Sequence, residues 1–456
     1  MNLDVSNIYF IGIGGIGMSA LARYFNQTGK NVIGYDKTTS ALTRSLENEG
    51  IDIHYTDLGE NLIEKVANDS LDLSSTLVVI TPAVPDSLKE LHYFRSAGYS
   101  IVKRAEVLGE ITKSFKTLAV AGTHGKTTTS TLLTHVLSFT QEKCNAFLGG
   151  ISSHFNSNLL LEKKSPWMVV EADEYDRSFH ELAPYASILT STEADHLDIY
   201  NNEETLLASF QEYVDKINPN GVLIQHHSIQ IEAACKKITY EVSDNGVADY
   251  VGQNLNVKHQ QFVFDVKTPT NFYKGIQLGL PGIHNAENAL SVIALCDSIG
   301  IDIETIRPAL ANFQGVKRRF EQVFKNDDTT YIDDYAHHPT AIEKLLTSVK
   351  ILYPEQPIYV IFQPHLYSRT RDFMDAFASS LSQADEVILL PIYPAREEPI
   401  EGITSESLAA KMETKVQVLS MENAIKAVGT FKKGVLLTVG AGTIDQLVEP
   451  IQEHFT

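Results

Sequence analysis

Short apolar runs alternate with amphipathic stretches along most of the chain, the pattern that strands and covering helices leave in an α/β sequence. Up to about residue 105, Ile8 to Ile13, Asn31 to Tyr35 and Leu77 to Ile80 read as buried strands. Between the first two, Met18, Leu21, Ala22 and Phe25 recur at i, i+3, i+4 and i+7, the stripe of a helix packed on a sheet. A second unit opens near Lys116. Thr117 to Ala121 predicts a strand, a glycine loop follows, and Leu132, Leu133, Val136 and Leu137 share one face of the next helix. Trp167 to Val170 and Ser187 to Leu189 predict later buried strands, each ending in polar residues. From about 235 to 280 the pattern turns to β-rich alternation, as in Gln261 to Val266 and Phe272 to Leu278, which predicts a small antiparallel insert. Asn285 to Leu295 returns to helix. Around Ala311 to Val316 the helical pattern stops at a glycine and a basic cluster follows, which marks a second boundary. Tyr331 to Asp333, Ile358 to Phe362, Glu386 to Leu390 and Val435 to Val439 are further strands with helices between them. The reading is three α/β units in series, without an internal repeat.

Length agrees with that count, since 456 residues at roughly 150 per domain give about three. The charge balance changes the picture more. With 37 basic against 57 acidic side chains the net charge is −20, and generic nucleic-acid binding, which needs a positive surface, is excluded. Any anionic ligand must be held by local cations, helix N-termini or metal ions against a repulsive background. No apolar run approaches the roughly 18 residues of a membrane span. The N-terminus lacks a basic stretch followed by an apolar one. Cys144, Cys235 and Cys296 form neither a CxxC pair nor a disulfide framework. A cytoplasmic protein without membrane insertion is expected.

Two glycine loops carry the candidate chemistry. Gly12, Gly14 and Gly17 satisfy GxGxxG after a strand and at the start of a helix, and Asp36 follows the next strand at the distance of a ribose-binding acid. A diphosphate resting on the helix N-terminus fits this loop, with NAD as one candidate. In the second loop, Gly122-Thr123-His124-Gly125-Lys126-Thr127-Thr128 resembles a Walker A sequence, although Val120 stands where GxxxxGK[ST] wants glycine. Backbone amides would wrap the phosphates, Lys126 would neutralise β/γ oxygens and Thr127 would offer a hydroxyl to Mg²⁺. The run Glu171-Ala172-Asp173-Glu174 places acids at the end of a buried strand, where α/β ligand sites lie. Glu171 is the preferred metal ligand, and Glu174 reads better as a solvated loop residue. His196, after the next strand, stands as either a second metal contact or a structural histidine.

The ordered set GIGGIGM, GTHGKTTT, EADE, EADHLD, GIHNAENA, RRFE, DDYAHHP and QPHLYSRTRD resembles the Mur ligases of peptidoglycan synthesis from about Ile8 to Gly442. The resemblance implies a Rossmann-like N-terminal domain (1–106) binding a UDP-sugar rather than NAD, through Gly14, Gly15, Gly17 and the nearby Asp36. It implies a P-loop-type central ATPase domain (107–314) with a small β-rich insert, and a Rossmann-like C-terminal domain (315–456) that closes with the amino acid. It further implies ATP and Mg²⁺ as cofactors, UDP-N-acetylmuramate and L-alanine as substrates, and a monomer or weak dimer. Gly122, Thr123, His124, Gly125, Lys126, Thr127 and Thr128 would hold the phosphates, and Thr127, Glu171 and His196 the metal. Asn285 and Asn288 would lie on the adenine side, with His284 as framework. Asp334 would meet the ribose, Tyr335 the base, Arg319 the γ-phosphate and Arg369 a substrate carboxylate. Arg318 reads as a flanking surface charge. His337 and His338 either line the cleft or cap the helix that follows.

Two departures qualify this pattern. Leu366 occupies a position where the family's alanine-adding members usually carry arginine. Phe210 and Gln211 stand near the place where sister ligases have a carbamylated lysine, so that modification is not expected. The implied reaction activates the lactyl carboxylate as an acyl phosphate, which the amine then attacks, so Lys126, Glu171, His196, Arg319 and Arg369 are the candidate catalytic set. Three other readings stay open: a murein-tripeptide recycling ligase of the same family, an NAD-dependent dehydrogenase and a nucleotide-gated binding protein.

Overall fold

The computed structural model describes residues 3–62, 64, 71–193, 200, 202–395, 397–431 and 433–455. The chain forms two compact units, one of residues 1–251, 268–270 and 288–309, the other of 252–267, 271–287 and 310–456.

The first unit holds two sheets. Strands β1 (Asn7–Ile11), β2 (Asn31–Tyr35), β3 (Asp52–His54), β4 (Thr76–Ile80) and β5 (Ser100–Lys103) form a parallel sheet in the order β3-β2-β1-β4-β5. Helices α1 (Ile16–Gln27), α2 (Ala41–Asn48), α3 (Lys89–Ala97) and α4 (Arg104–Thr112) connect or follow its strands. The second sheet comprises β6 (Lys116–Ala121), β7 (Asn145–Ser152), β8 (Ser157–Leu160), β9 (Trp167–Ala172), β10 (Ala186–Leu189), β11 (Val222–His226) and β12 (Lys236–Val242). Their order is β12-β11-β10-β6-β9-β7-β8, parallel except for the β7–β8 pair. Helix α5 (Lys126–Ser138) follows β6.

The predicted stripe of α1 is realised, with Met18, Leu21, Ala22 and Phe25 all buried. They belong to one core that continues from Phe10 through Phe147 and Met168 to Phe210. Full burial of each large apolar side chain contributes about 1.5–3 kcal/mol relative to exposure. A buried polar joint reinforces this core. Arg23 on α1 meets Glu49 at 2.7 Å and Asn158 of β8 at 2.5 Å, while Asn158 donates to the Ile16 carbonyl (2.7 Å) and to Ser19 (2.9 Å).

The second unit carries most of β13 (Tyr250–Lys258), with β14 (Gln261–Lys267) and β15 (Phe272–Leu278), and β14 and β15 pair antiparallel. The antiparallel reading of 235–280 needs one correction: β12 runs parallel to β11 through Lys236 to Tyr240, so the antiparallel part starts beyond it. The third sheet contains β16 (Glu321–Lys325), β17 (Thr329–Asp334), β18 (Ile358–Phe362), β19 (Glu386–Leu389), β20 (Lys415–Val418) and β21 (Gly434–Val439), ordered β16-β17-β21-β18-β19-β20. Only β16 is antiparallel to its neighbour. No helix of the described residues is long and apolar enough to cross a membrane.

Candidate active site

The β6–α5 loop is built by glycine geometry. Gly122 (φ 128°) and Gly125 (φ 81°) adopt backbone conformations that disfavour side chains, and Gly125 is the N-cap of α5. A Cβ on Gly122 would lie 2.2 Å from Thr190 Oγ1, and one on Gly125 would lie 2.9 Å from Asn288 Oδ1. Ser191, which the motif does not announce, ties the loop down: its hydroxyl accepts from His124 N (3.0 Å) and bonds Thr123 Oγ1 (2.9 Å). The missing Walker glycine has a physical reason. Val120 is fully buried inside β6, paired with Glu171 of β9 and Ile188 of β10, so the cradle starts only after the strand ends.

Lys126 opens α5 with its ammonium 2.7 and 2.8 Å from the two oxygens of Glu174 and 2.8 Å from the Gly122 carbonyl. Burial lowers the lysine's pKa, but Glu174, Asp173 and Glu171 outweigh it and hold the group charged above its ordinary value. Glu174 is therefore not a solvated loop residue. It is fully buried, because the turn after β9 folds it under the loop beside Lys126. Thr127 Oγ1 donates to Glu171 Oε2 at 2.9 Å. Glu171 owes its place to a glycine that no motif announces: a Cβ on Gly149 of β7 would sit 2.0 Å from Glu171 Oε2. Thr128 lies half-buried in the first turn of α5, and exposed His124 is 3.4 Å from Glu193. His196 lies outside the described residues.

A hydroxyl and a carboxylate side by side are hard oxygen donors of the kind Mg²⁺ takes together with phosphates and water. Among the described residues, no three His, Cys, Asp or Glu side chains form a ready-made metal cluster.

The β1–α1 loop has the same outline and different partners. Gly12 turns at φ 84° and Gly15 is the N-cap of α1. Asp36 accepts a hydrogen bond from Gly14 N at 2.8 Å and another from Thr38 N at 3.1 Å, so the presumed ribose acid braces the loop itself. A Cβ on Gly14 would lie 2.8 Å from Asp36 Oδ2, and one on Gly17 would lie 2.9 Å from the Arg104 guanidinium. Gly15 is different, with its nearest would-be neighbour at 3.5 Å.

In the second unit, Arg318 and Arg319 stack on Tyr335, with guanidinium carbons 5.1 and 4.9 Å from the ring centre. Arg318 is not a flanking surface charge: it donates to the Gly440 carbonyl at 2.7 Å and lies 3.4 Å from buried Asp333. The oxygens of Asp334 accept from Phe320 N and Ala336 N, both at 2.7 Å, which fixes the turn that presents Arg319. Burial raises the pKa of Asp334 against the opposing pull of Arg319. Arg369 Nη1 is 3.5 Å from His365 Nδ1. His337 bonds the Tyr335 carbonyl through Nδ1 at 2.9 Å, and burial, with Arg369 and Arg319 nearby, brings its pKa down to about 3. Of the two histidines it is His337 that joins the arginines. His338 is the N-cap residue of the helix Pro339–Leu352 without a side-chain capping bond, its ring 4.6 Å from Phe373. Leu366 takes φ 71° at the start of the helix that carries Arg369. Asn285 is buried and donates to the Pro281 carbonyl at 2.6 Å; burial brings the neighbouring His284 down to about 4, as suits a framework residue. Phe210 packs edge-on against Phe179 at 5.4 Å in the first unit's core.

Family comparisons cover nearly the whole chain. The Mur ligase family catalytic domain matches residues 7–116, the Mur ligase middle domain 120–296, and the Mur ligase glutamate ligase domain 318–442. The chain belongs to the Mur ligase family. It is similar to the UDP-N-acetylmuramate–L-alanine ligase of Flavobacterium psychrophilum, with 48% identity over 458 residues, 100% of this chain and 99% of that protein. The crystal structure of the UDP-N-acetylmuramate–alanine ligase MurC from Thermotoga maritima matches with a TM-score of 0.85 at 30% identity, covering 98% of this chain and 99% of that one. A murein peptide ligase from Psychrobacter arcticus shares the fold at 24% identity, with a TM-score of 0.70 and 98% of both chains covered.

Proposed function

We propose that this Mur ligase joins L-alanine to UDP-N-acetylmuramate with cleavage of ATP to ADP and phosphate, a cytoplasmic step of peptidoglycan precursor synthesis. The observation that carries the reading is the β6–α5 loop, where charged Lys126 and the Thr127–Glu171 pair converge, in a chain about half identical to alanine-adding relatives. The lactyl carboxylate attacks the γ-phosphorus, ADP leaves, and the acyl phosphate is then attacked by the neutral amine, releasing phosphate. Lys126 offsets the charge on the β/γ oxygens, and Arg319 takes the γ-phosphoryl group. Arg369 holds a substrate carboxylate, with less help than usual because Leu366 supplies no charge. Thr127, Glu171 and His196 would hold Mg²⁺, which when bound neutralises phosphate oxygens. We assign Asn285 and Asn288 to the adenine side, Asp334 to the ribose and Tyr335 to the base. We assign residues 1–106 to the UDP-sugar, 107–314 to ATP and 315–456 to the amino acid.

The test is a product assay with UDP-N-acetylmuramate, L-alanine and Mg-ATP. UDP-N-acetylmuramoyl-L-alanine, ADP and phosphate should appear in equal amounts by mass spectrometry and phosphate release. Turnover only with the tripeptide would transfer the chain to the recycling reaction. Tight NADH binding would revive the dehydrogenase reading.

A further inference from the structure

The first glycine loop contains no cation of its own, yet a diphosphate carries two charges into a chain of net charge −20. The structure supplies one from elsewhere. Arg104, the first residue of α4, lays its guanidinium across Gly17: a Cβ there would lie 2.9 Å from Nη1, 3.0 Å from Cδ and 3.2 Å from Cζ. Gly17 is in the first turn of α1, a turn without an acidic side chain. A cation at a helix N-terminus stands at the unfavourable end of the macrodipole, so its placement there calls for an anion.

Among the described residues the ion pair that Arg104 makes is a long one. The nearest carboxylate, Asp173 Oδ2, is 3.9 Å from Arg104 Nη2, well beyond the 2.7–2.9 Å of a charge-assisted hydrogen bond. The side chain is nevertheless only 21% exposed. Arg104, Glu171 and Asp173 line one small recess, so the guanidinium lies between the glycine loop and the acids beside the phosphate loop. Neighbouring Lys103, in contrast, is satisfied by Asp176 at 3.0 Å.

We propose that Arg104 is a binding residue for the diphosphate of the sugar nucleotide, the cation that the first glycine loop borrows from α4. This rests on the reading that residues 1–106 hold the UDP-sugar. A planar guanidinium can engage two phosphate oxygens at once, and here it also screens them from Glu171 and Asp173.

The experiment is calorimetric titration of wild type, Arg104→Ala, Arg104→Lys and Lys103→Ala with UDP, UDP-N-acetylglucosamine and UDP-N-acetylmuramate, with a non-hydrolysable ATP analogue in parallel. Arg104→Ala should weaken all three uridine ligands by about tenfold or more and flatten their salt dependence, as loss of a phosphate contact does. Arg104→Lys should recover part of the loss, because it keeps the charge without the fork. ATP-analogue affinity should stay within about twofold, which also reports an intact fold. Unchanged UDP affinity in Arg104→Ala would overturn the proposal. Weakening confined to UDP-N-acetylmuramate would move the arginine to the lactyl carboxylate and equally overturn it. A loss in Lys103→Ala as large as in Arg104→Ala would reduce the effect to the docking of α4. Absence of UDP-ligand binding in the wild type would instead remove the substrate reading beneath it.

Discussion

The β1–α1 and β6–α5 loops both leave a buried parallel strand through a glycine of positive φ, Gly12 at 84° and Gly122 at 128°, and both enter a helix. Beyond that outline they part. The second loop contains its own cation, Lys126, and has carboxylates against both Lys126 and Thr127. The first has a carboxylate, Asp36, consuming one of its amides, and its cation arrives from α4. A loop that serves phosphoryl transfer needs charge fixed close to the transferred group, and the residue next to the glycine is the shortest tether. A loop that only grips a diphosphate can take its charge from any element that passes by.

The largest expected effect comes from separating charge from fold in the second loop. Lys126→Ala should lower kcat by roughly 10³-fold or more. It should also strand fully buried Glu174, and removing one partner of a buried ion pair costs about 3–5 kcal/mol of stability. The double variant Lys126→Ala with Glu174→Gln should then regain most of the melting temperature and none of the activity. If the single variant melts like wild type, the Lys126–Glu174 pair does not anchor the loop. Next in size is Gly149→Ala, where a Cβ 2.0 Å from Glu171 Oε2 must push the carboxylate away from Thr127. Displacement of about 1 Å at a reacting site can cost ~10²-fold. Phosphate release across a Mg²⁺ titration should show a fall of that order, and normal turnover would release Glu171 from its assignment.

What the sequence made legible follows from locality. Strands such as Asn31–Tyr35 and Phe272–Leu278 are contiguous apolar or alternating runs, and the structure has them with the same limits. The β6–α5 loop was legible as a candidate site because Gly122 to Thr127 lie within one strand–turn–helix. Glu174, Gly149, Ser191 and Arg318 were not, since each becomes a partner only through register between distant strands. Glu171 lies beside Val120 because β9 pairs with β6 in parallel, and Gly149 reaches Glu171 across β7. Nothing in EADE says that its first and last acids will serve two different residues of the same loop.

The first loop should respond more gently, and unequally along its length. A Cβ on Gly14 would lie 2.8 Å from both Asp36 Oδ2 and Thr43 Cγ2, whereas one on Gly15 meets nothing closer than 3.5 Å. Gly14→Ala should therefore raise KM for UDP-N-acetylmuramate by about tenfold through loop displacement, and Gly15→Ala by only about two- to threefold, with kcat for either near wild type. Equal effects at the two positions would mean that both face the ligand and neither is governed by internal packing.

Asp36→Ala should have a small effect of the same order as Gly15→Ala, and the structure gives the reason. The carboxylate accepts Gly14 N–H and Thr38 N–H, both neutral donors in a partly exposed turn. Removing it costs about 1 kcal/mol in loop order, which corresponds to roughly a fivefold rise in KM for the sugar nucleotide. The same change frees the Gly14 amide and removes a negative charge from beside the diphosphate loop, and both consequences favour the anion. The two contributions oppose each other, so the net change should fall below fivefold and shrink further at low salt, where removal of the charge counts most. A dehydrogenase would behave otherwise, because its acid binds a ribose hydroxyl and its loss weakens the dinucleotide outright. Steady-state kinetics of Asp36→Ala at two ionic strengths, with an NADH titration alongside, decides the matter. A rise in KM of a hundredfold, independent of salt, would mean that Asp36 holds the ligand directly and that the first loop is closer to a dinucleotide site than its partners suggest.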